Sequence, residues 1–253
     1  MKPKNLLLAW LGLFLVAAIP AQVLAAQTNV AVAANFTEAA KEIAGAFKAK
    51  TGHEASLSFG SSGQLYTQIT QEAPFEVFLS ADEARPKKAI EDGYALPDSR
   101  FTYAIGKLVL WSKNPALSAG PEALKAPSFE KLAYCNPLGA PYGAAAIETL
   151  KSLKLYEKLQ PKLVQGENIS QAFQFVDSGN AEMGFVALSQ LAKVSGGSRW
   201  VVPQDLYTPI RQDAVLLKKG AANQAAVAFL AFLKSPDGVA IVKKYGYGVG
   251  DKN

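Results

Sequence analysis

The stretch Thr28-Asn29-Val30-Ala31-Val32-Ala33-Ala34-Asn35-Phe36-Thr37 carries the pattern that decides the fold. Its alternating valines and alanines up to Ala33 predict a strand. Phe36, Ala39, Ala40, Ile43, Ala44 and Phe47 then recur at helical spacing, and Thr51-Gly52 marks the helix end. The same order of events repeats downstream. A strand at 55–59 runs into Gly60-Ser61-Ser62-Gly63 and a helix holding Leu65 and Ile69, stopped at Ala73-Pro74. A third strand at 75–79 leads through Ser80-Ala81-Asp82 into a charged helix over about 83–92. Strands separated by helices in this way predict parallel βαβ units.

A long strand-like run at 103–111 follows, then a Pro/Gly-rich patch over 114–127, and the alternation restarts. The pattern predicts strands at 132–135, 183–186, 200–202 and 214–217. It predicts helices at 143–153, around 156–159 (broken by Pro161), 169–178, about 222–233 and 236–245, with Pro236 at a first helical turn. These are two α/β halves. The run at 103–111 reads as the exit from the first half and the run near 210–217 as the return. The expected division is residues 26–102 plus 211–253 for one lobe and 103–210 for the other, joined by a two-strand hinge with a ligand cleft between them. A single doubly wound sheet is the alternative that periodicity leaves open.

The chain has 253 residues, 49% of them hydrophobic, enough to bury a core without disulfides, and Cys135 is the single cysteine. Cys135 reads as a small buried hydrophobe in a strand. Residues 1–25 read as a secretory signal peptide: Lys2 and Lys4, an apolar stretch from Leu6 to Ile19, then Val23-Leu24-Ala25 as a small-residue cleavage pattern. Removing them takes the formal charge from +5 to +3. Export to the periplasm is implied, as a protein free rather than lipid-tethered, because no lipobox cysteine follows the leader. Charges of both signs are dispersed, with no basic block interleaved with aromatics, which argues against nucleic acid.

Motif tests exclude most catalytic readings. Gly60-Ser61-Ser62-Gly63 followed by Gln64 fails the G-x-S-x-G nucleophile pattern. The single histidine, His53, follows Gly52 at a helix end, where an exposed or capping role is expected. One His and one Cys cannot build a His- or Cys-based zinc site, and neither G-x-G-x-x-G nor the phosphate-loop motif is present. The expectation is therefore a binding protein, not an enzyme, with no cofactor.

Four loops remain: Ala33-Ala34-Asn35-Phe36, Gly60-Ser61-Ser62-Gly63, Ala140-Pro141-Tyr142-Gly143 and Glu167-Asn168-Ile169-Ser170. Each precedes a predicted helix. A helix start leaves N–H groups without intrahelical partners and carries about half a positive charge. Ser or Asn at any one such position is ordinarily a cap. Four starts, two per half, lie on the same edges of open α/β sheets. Folded face to face, they would cage a small anion without lysine or arginine.

These segments resemble the ModA family, the periplasmic molybdate-binding proteins of ABC transport systems. The likeness runs from about Asn29 to Tyr247. It rests on Val32-Ala33-Ala34-Asn35-Phe36-Thr37, Phe59-Gly60-Ser61-Ser62-Gly63-Gln64, 74–82, Asn136-Pro137 through Pro141-Tyr142-Gly143, and Lys244-Tyr245-Gly246-Tyr247. The resemblance implies two Rossmann-like lobes, the type II periplasmic binding protein fold. It also implies molybdate or tungstate as ligand, an ABC membrane permease as partner, and a monomer. Carried over by position, the ligand contacts fall on Ala34 and Asn35, on Ser61 and Ser62 (Ser62 the better match), on Tyr142, and on the backbone N–H of Ile169. Many members have Ser at position 35 and a contacting Tyr where this chain has Ala187. The chain is similar to a branch with Asn in the first loop and Tyr in the third, which implies that the Tyr142 hydroxyl stands in at Ala187. Sulfate, thiosulfate or phosphate is the alternative ligand.

Overall fold

The computed structural model describes residues 25–117, 120–126 and 129–250. The expected leader, apart from its last position, lies outside the described residues. The chain runs β1 (Gln27–Ala33), a 3-10 turn (Ala34–Phe36), α1 (Thr37–Thr51), β2 (Glu54–Gly60), α2 (Ser62–Thr70), β3 (Val77–Leu79), α3 (Ala84–Glu91) and β4 (Phe101–Gly106). It continues β5 (Leu108–Ser112), β6 (Leu132–Cys135), α4 (Pro141–Ser152), α5 (Tyr156–Leu159), β7 (Leu163–Gly166), α6 (Ile169–Asp177), β8 (Met183–Ala187) and β9 (Ser198–Val201). It closes with β10 (Ile210–Leu216), α7 (Gln224–Lys234) and α8 (Pro236–Lys244).

These elements form two α/β lobes. The first sheet has the order β2-β1-β3-β10-β4 and the second β7-β6-β8-β5-β9. β1 pairs in parallel with β2 and β3, and β6 in parallel with β7 and β8. Parallel neighbours end on one edge, so the helices that follow them start on that edge. In the first lobe, α1, α7 and α8 cover one sheet face through Phe36, Ile43, Phe47, Phe229 and Leu233, and α2 with α3 covers the other through Leu65, Ile69 and Ala89. In the second lobe, α4 buries Tyr142, Ala145, Ala146 and Leu150, while Val176 of α6 packs against Val109, Trp111 and Ala133.

Three elements differ from the sequence pattern. The run at 103–111 is two strands in different sheets, with Lys107 alone between them. The partners change at that point. Ile105 exchanges both backbone hydrogen bonds with Gly248 (2.7 and 2.9 Å), whereas the Lys107 carbonyl accepts the Leu188 N–H (3.0 Å) from the second lobe. The returning strand β10 begins at Ile210, not Ala214, because Gln212 and Asp213, polar in sequence, are both buried. Asp213 accepts from Arg100 (2.7 Å) and Thr102 (2.7 Å), yet burial still pushes its carboxyl above the usual range. The short apolar stretch before Glu167 is the edge strand β7, whose Gln165-Gly166 end hides it from a hydrophobic reading.

Cys135 lies fully buried in β6, as expected, and burial pushes its thiol up to about 12. Two other side chains sit differently from expectation. His53 is buried, with its Nδ1 accepting the Ala26 N–H (3.1 Å) and its ring near Phe47. Glu76, which reads as a solvated charge, accepts from the Asn29 N–H (3.0 Å) and from Asn223 Nδ2 (2.8 and 2.9 Å). Asn223 in turn caps α7 by accepting from the Ala225 N–H. Asn223 Nδ2 keeps the Gln27 carbonyl (2.8 Å) as an acceptor, but Glu76→Ala would leave the Asn29 N–H without its carboxylate, so it is expected to lower unfolding free energy by roughly 1–3 kcal/mol in urea titrations. An unchanged urea midpoint would contradict this role.

Candidate functional site

The 3-10 turn after β1 and the starts of α2, α4 and α6 meet at one interlobe cavity. The first lobe contributes Ala33, Ala34, Asn35, Gly60, Ser61, Ser62 and Ala81, and the second Ala140, Pro141, Tyr142, Asn168 and Ile169. All six residues singled out from sequence therefore line the same space. None of the lining residues carries a formal charge, and the cavity between the closed lobes is tight, about 10 Å3. A wider, open groove between the lobes shares only Ala81 and Pro141 with it and presents charges of both signs, including Glu83, Lys87, Glu148 and Arg211.

The orphan amides of each helix start are almost all satisfied, and the exceptions converge on the cavity. At α6, Asn168 Oδ1 accepts from the N–H groups of Ser170 (3.0 Å) and Gln171 (3.1 Å), leaving that of Ile169. At α2, Ser61 Oγ accepts from Gln64 N–H (3.3 Å) and Gly63 N–H donates to the Gly139 carbonyl (2.9 Å), leaving that of Ser62. At α4, Pro141 has no N–H, and Gly143 and Ala144 donate to the Ala140 carbonyl, leaving that of Tyr142. The Ala34 N–H continues the parallel β1–β2 ladder toward the Gly60 carbonyl, and the Asn35 N–H is left at the head of the 3-10 turn. Four amides, one from each loop, thus border the cavity, each at the positive end of a local dipole.

Two hydroxyls join them. Ser62 Oγ accepts from the Ala81 N–H (2.9 Å), so its own proton is available. Tyr142 Oη accepts from Gln212 Nε2 (3.3 Å). Burial holds the phenols of Tyr142, Tyr103 and Tyr247 above their ordinary range, so all three remain protonated at neutral pH.

The sequence-based site residues differ in what they offer. The Asn35 side-chain amide turns away from the cavity and donates to Gln212 Oε1 (2.8 Å) and Tyr247 Oη (3.0 Å), so this residue presents its backbone N–H. Ser61 is a cap: its hydroxyl accepts from Gln64 and its N–H donates to Gln64 Oε1 (3.2 Å). Ala187 is buried beneath the site within the same core as Tyr142 and does not line the cavity. Gln212, Tyr103, Tyr247 and Ser189 form a buried polar layer behind it that the sequence reading missed. The available signal was Gln212-Asp213 interrupting an apolar strand.

The lobes are in contact around the cavity. Ser189 Oγ donates to the Asn35 carbonyl (2.8 Å), Ser170 Oγ to the Ala34 carbonyl (3.4 Å), and Arg85 to the Leu138 carbonyl (2.8 Å). Asp82 orients Arg85 by pairing with its guanidinium and accepting its N–H. Lys193 pairs with Glu38 (2.9 Å) across the opposite rim. At Gly63 the approach is close enough that a Cβ would lie 3.0 Å from the Gly139 Cα.

Two α/β lobes closed on a ring of neutral donors define the class of two-lobe solute-binding proteins. Comparison with known proteins gives the same class. A sequence model described as bacterial extracellular solute-binding protein matches residues 28–248. The molybdate-binding protein ModA of Rhodobacter capsulatus is 56% identical over 97% of both chains, and that of Azotobacter vinelandii 53% identical over 89% of this chain and 91% of the relative. The solved periplasmic molybdate-binding protein of Azotobacter vinelandii superposes with a TM-score of 0.85 at 43% identity, covering 88% of this chain and all of the other. The sulfate-binding protein SubI of Mycobacterium tuberculosis shares the fold alone, with a TM-score of 0.73 at 12% identity over 89% of this chain and 88% of its own. The chain belongs to the bacterial extracellular solute-binding proteins and, within them, to the ModA family.

Gly63→Ala is expected to hold the lobes apart at Gly139. Calorimetry should then show molybdate bound about tenfold more weakly, the equivalent of about 1.4 kcal/mol, with the melting temperature of the ligand-free protein unchanged. Unaltered affinity would mean that capture does not depend on this approach.

Proposed function

We propose that the protein captures molybdate or tungstate in the interlobe cavity and delivers it, in the periplasm, to the membrane permease of an ABC transporter. The observation that carries this reading is the set of four unpartnered amides and two hydroxyls, drawn from both lobes, around a space without a formal charge. The 56% identity to a molybdate-binding protein over nearly the whole chain supports the choice of ion. We assign the ligand contacts to the N–H groups of Asn35, Ser62, Tyr142 and Ile169 and to the hydroxyls of Ser62 and Tyr142, with Ala34 lining the cavity and Ser61 shaping the α2 start. We place the division between the lobes at Lys107 and in the segment between β9 and β10. The protein acts as a monomeric carrier with no chemical step.

The energetics favour a dianion that carries no proton. Stripping water from such an ion is costly unless donors replace it. Hydrogen bonds to a charged partner contribute about 1.5–3 kcal/mol each. Several of them suffice for a micromolar or tighter complex, about −8 kcal/mol or better. Every polar group offered is a donor, so hydrogen phosphate brings a proton with nothing to accept it. Sulfate has no proton but is smaller, so only a difference of size separates it from molybdate at such a ring. Closure hides the ion and creates a surface composed of both lobes, which the permease can distinguish from the open form.

A thermal-shift and calorimetric panel of molybdate, tungstate, sulfate and phosphate tests this reading. Molybdate and tungstate are expected to raise the melting temperature strongly, sulfate weakly and phosphate not at all. A response to sulfate or phosphate alone would replace the proposed ligand. Ser62→Ala is expected to weaken molybdate binding by roughly 1–3 kcal/mol with the fold intact, and an unchanged Kd would remove Ser62 from the site.

A further inference from the structure

The polar layer behind the cavity has a fixed direction of hydrogen-bond donation, and that direction reaches Tyr142. It starts at a group that can only accept, the Asn35 backbone carbonyl. Tyr247 Oη lies 2.7 Å from that carbonyl and 2.9 Å from Ser189 Oγ. Its single proton goes to one of these two, so toward the Asn35 side chain it can only accept. That places Asn35 Nδ2 against Tyr247 (3.0 Å), and the same Nδ2 against Gln212 Oε1 (2.8 Å). Tyr103 Oη, whose single proton has the Ser80 carbonyl as its nearer acceptor (3.0 Å), also lies 3.2 Å from Gln212 Oε1. With its oxygen held by Asn35, Gln212 turns Nε2 toward Tyr142 Oη (3.3 Å). An amide nitrogen cannot accept, so the Tyr142 proton has to point elsewhere, and the cavity is the face the residue lines.

The packing leaves this arrangement little freedom. Tyr142 Oη rests over Gly106 of the hinge strand β4, where a Cβ would lie 2.2 Å from the hydroxyl and 2.7 Å from Gln212 Nε2. Gln212 itself is fully buried. The relay also spans both lobes: Asn35, Gln212, Tyr103 and Tyr247 belong to the first-lobe side, Ser189 and Tyr142 to the second. It is complete only when the lobes meet. At the other side of the cavity the Ala81 N–H fixes Ser62 Oγ in the same sense with a backbone donor.

We propose that Gln212 is a specificity-determining positioning residue that, at the end of a relay running from the Asn35 carbonyl, holds the Tyr142 hydroxyl as an obligate donor to the bound oxyanion. This rests on the oxyanion-binding function proposed above and deepens it. Without Gln212, Tyr142 can present either its proton or a lone pair to the cavity. A site with that choice accepts a protonated oxyanion that the native site rejects.

The test compares molybdate with hydrogen arsenate, a tetrahedral dianion that carries a proton, by calorimetry at mildly alkaline pH. Gln212→Met keeps the side-chain length and removes both polar atoms. It is expected to weaken molybdate about tenfold, the scale of one charge-assisted hydrogen bond, and to weaken hydrogen arsenate less or strengthen it, so the selectivity ratio falls. In a Tyr142→Phe background the same substitution is expected to have no effect on the ratio, because the hydroxyl it orients is gone. Tyr247→Phe, at the far end of the relay and outside the cavity, is the second variant should Gln212→Met fold poorly, and it is expected to lower the ratio in the same direction. An unchanged ratio in the folded variants, or an equal loss in both backgrounds, overturns the proposal and leaves Gln212 a packing residue. If the native protein binds neither anion, the oxyanion reading itself fails, a result distinguishable from the first.

Discussion

The unpartnered amide is the constraint on which the whole arrangement depends. Every helix start leaves donors that a folded protein must satisfy with a cap, a carbonyl or solvent. Here Asn168, Ser61, Pro141 and the Ala140 carbonyl remove most of them, and those left over all border one cavity. Bringing four like-oriented partial charges together is unfavourable unless an anion lies between them. An anion held there, as proposed, bridges the two lobes.

The fold supplies this convergence through topology. Parallel β1, β2 and β3 in one sheet and β6, β7 and β8 in the other direct successive helix starts to one edge of each sheet. The crossings at Lys107 and at the entry to β10 then set the two edges against each other. Small residues make the contact possible: Gly63 against Gly139 at the rim, and Gly106 beneath the Tyr142 hydroxyl. The rim carries its own fastenings in Arg85 to the Leu138 carbonyl and Lys193 to Glu38. Exposed pairs such as the latter contribute little energy. The donor ring, not the rim charge, therefore provides most of the drive to close.

Much of this was legible in the sequence, for a local reason. Strand and helix periods, the caps at Ser61 and Asn168 and the helix end at Thr51-Gly52 are written within a few neighbouring residues, and the loops between them carry the site. The resemblance to the ModA family, resting on those same loops, supplied the ion. What escaped was non-local. Gln212 and Asp213 look solvated in sequence, yet their partners Asn35, Tyr103, Arg100 and Thr102 come from distant segments. Glu76 and His53 were misread in the same way, since each is satisfied by a residue far along the chain. The Asn35 side chain likewise serves the network behind the cavity, where two buried acceptors from distant segments hold it.

The most direct test of the donor ring is an amide-proton NMR titration of the uniformly labelled protein with molybdate. The amide protons of Asn35, Ser62, Tyr142 and Ile169 are expected to move downfield together, saturating at one equivalent, as each takes up a hydrogen bond to the same ion. Movement limited to the amides of a single lobe, or centred on lysine and arginine side chains, would contradict the account.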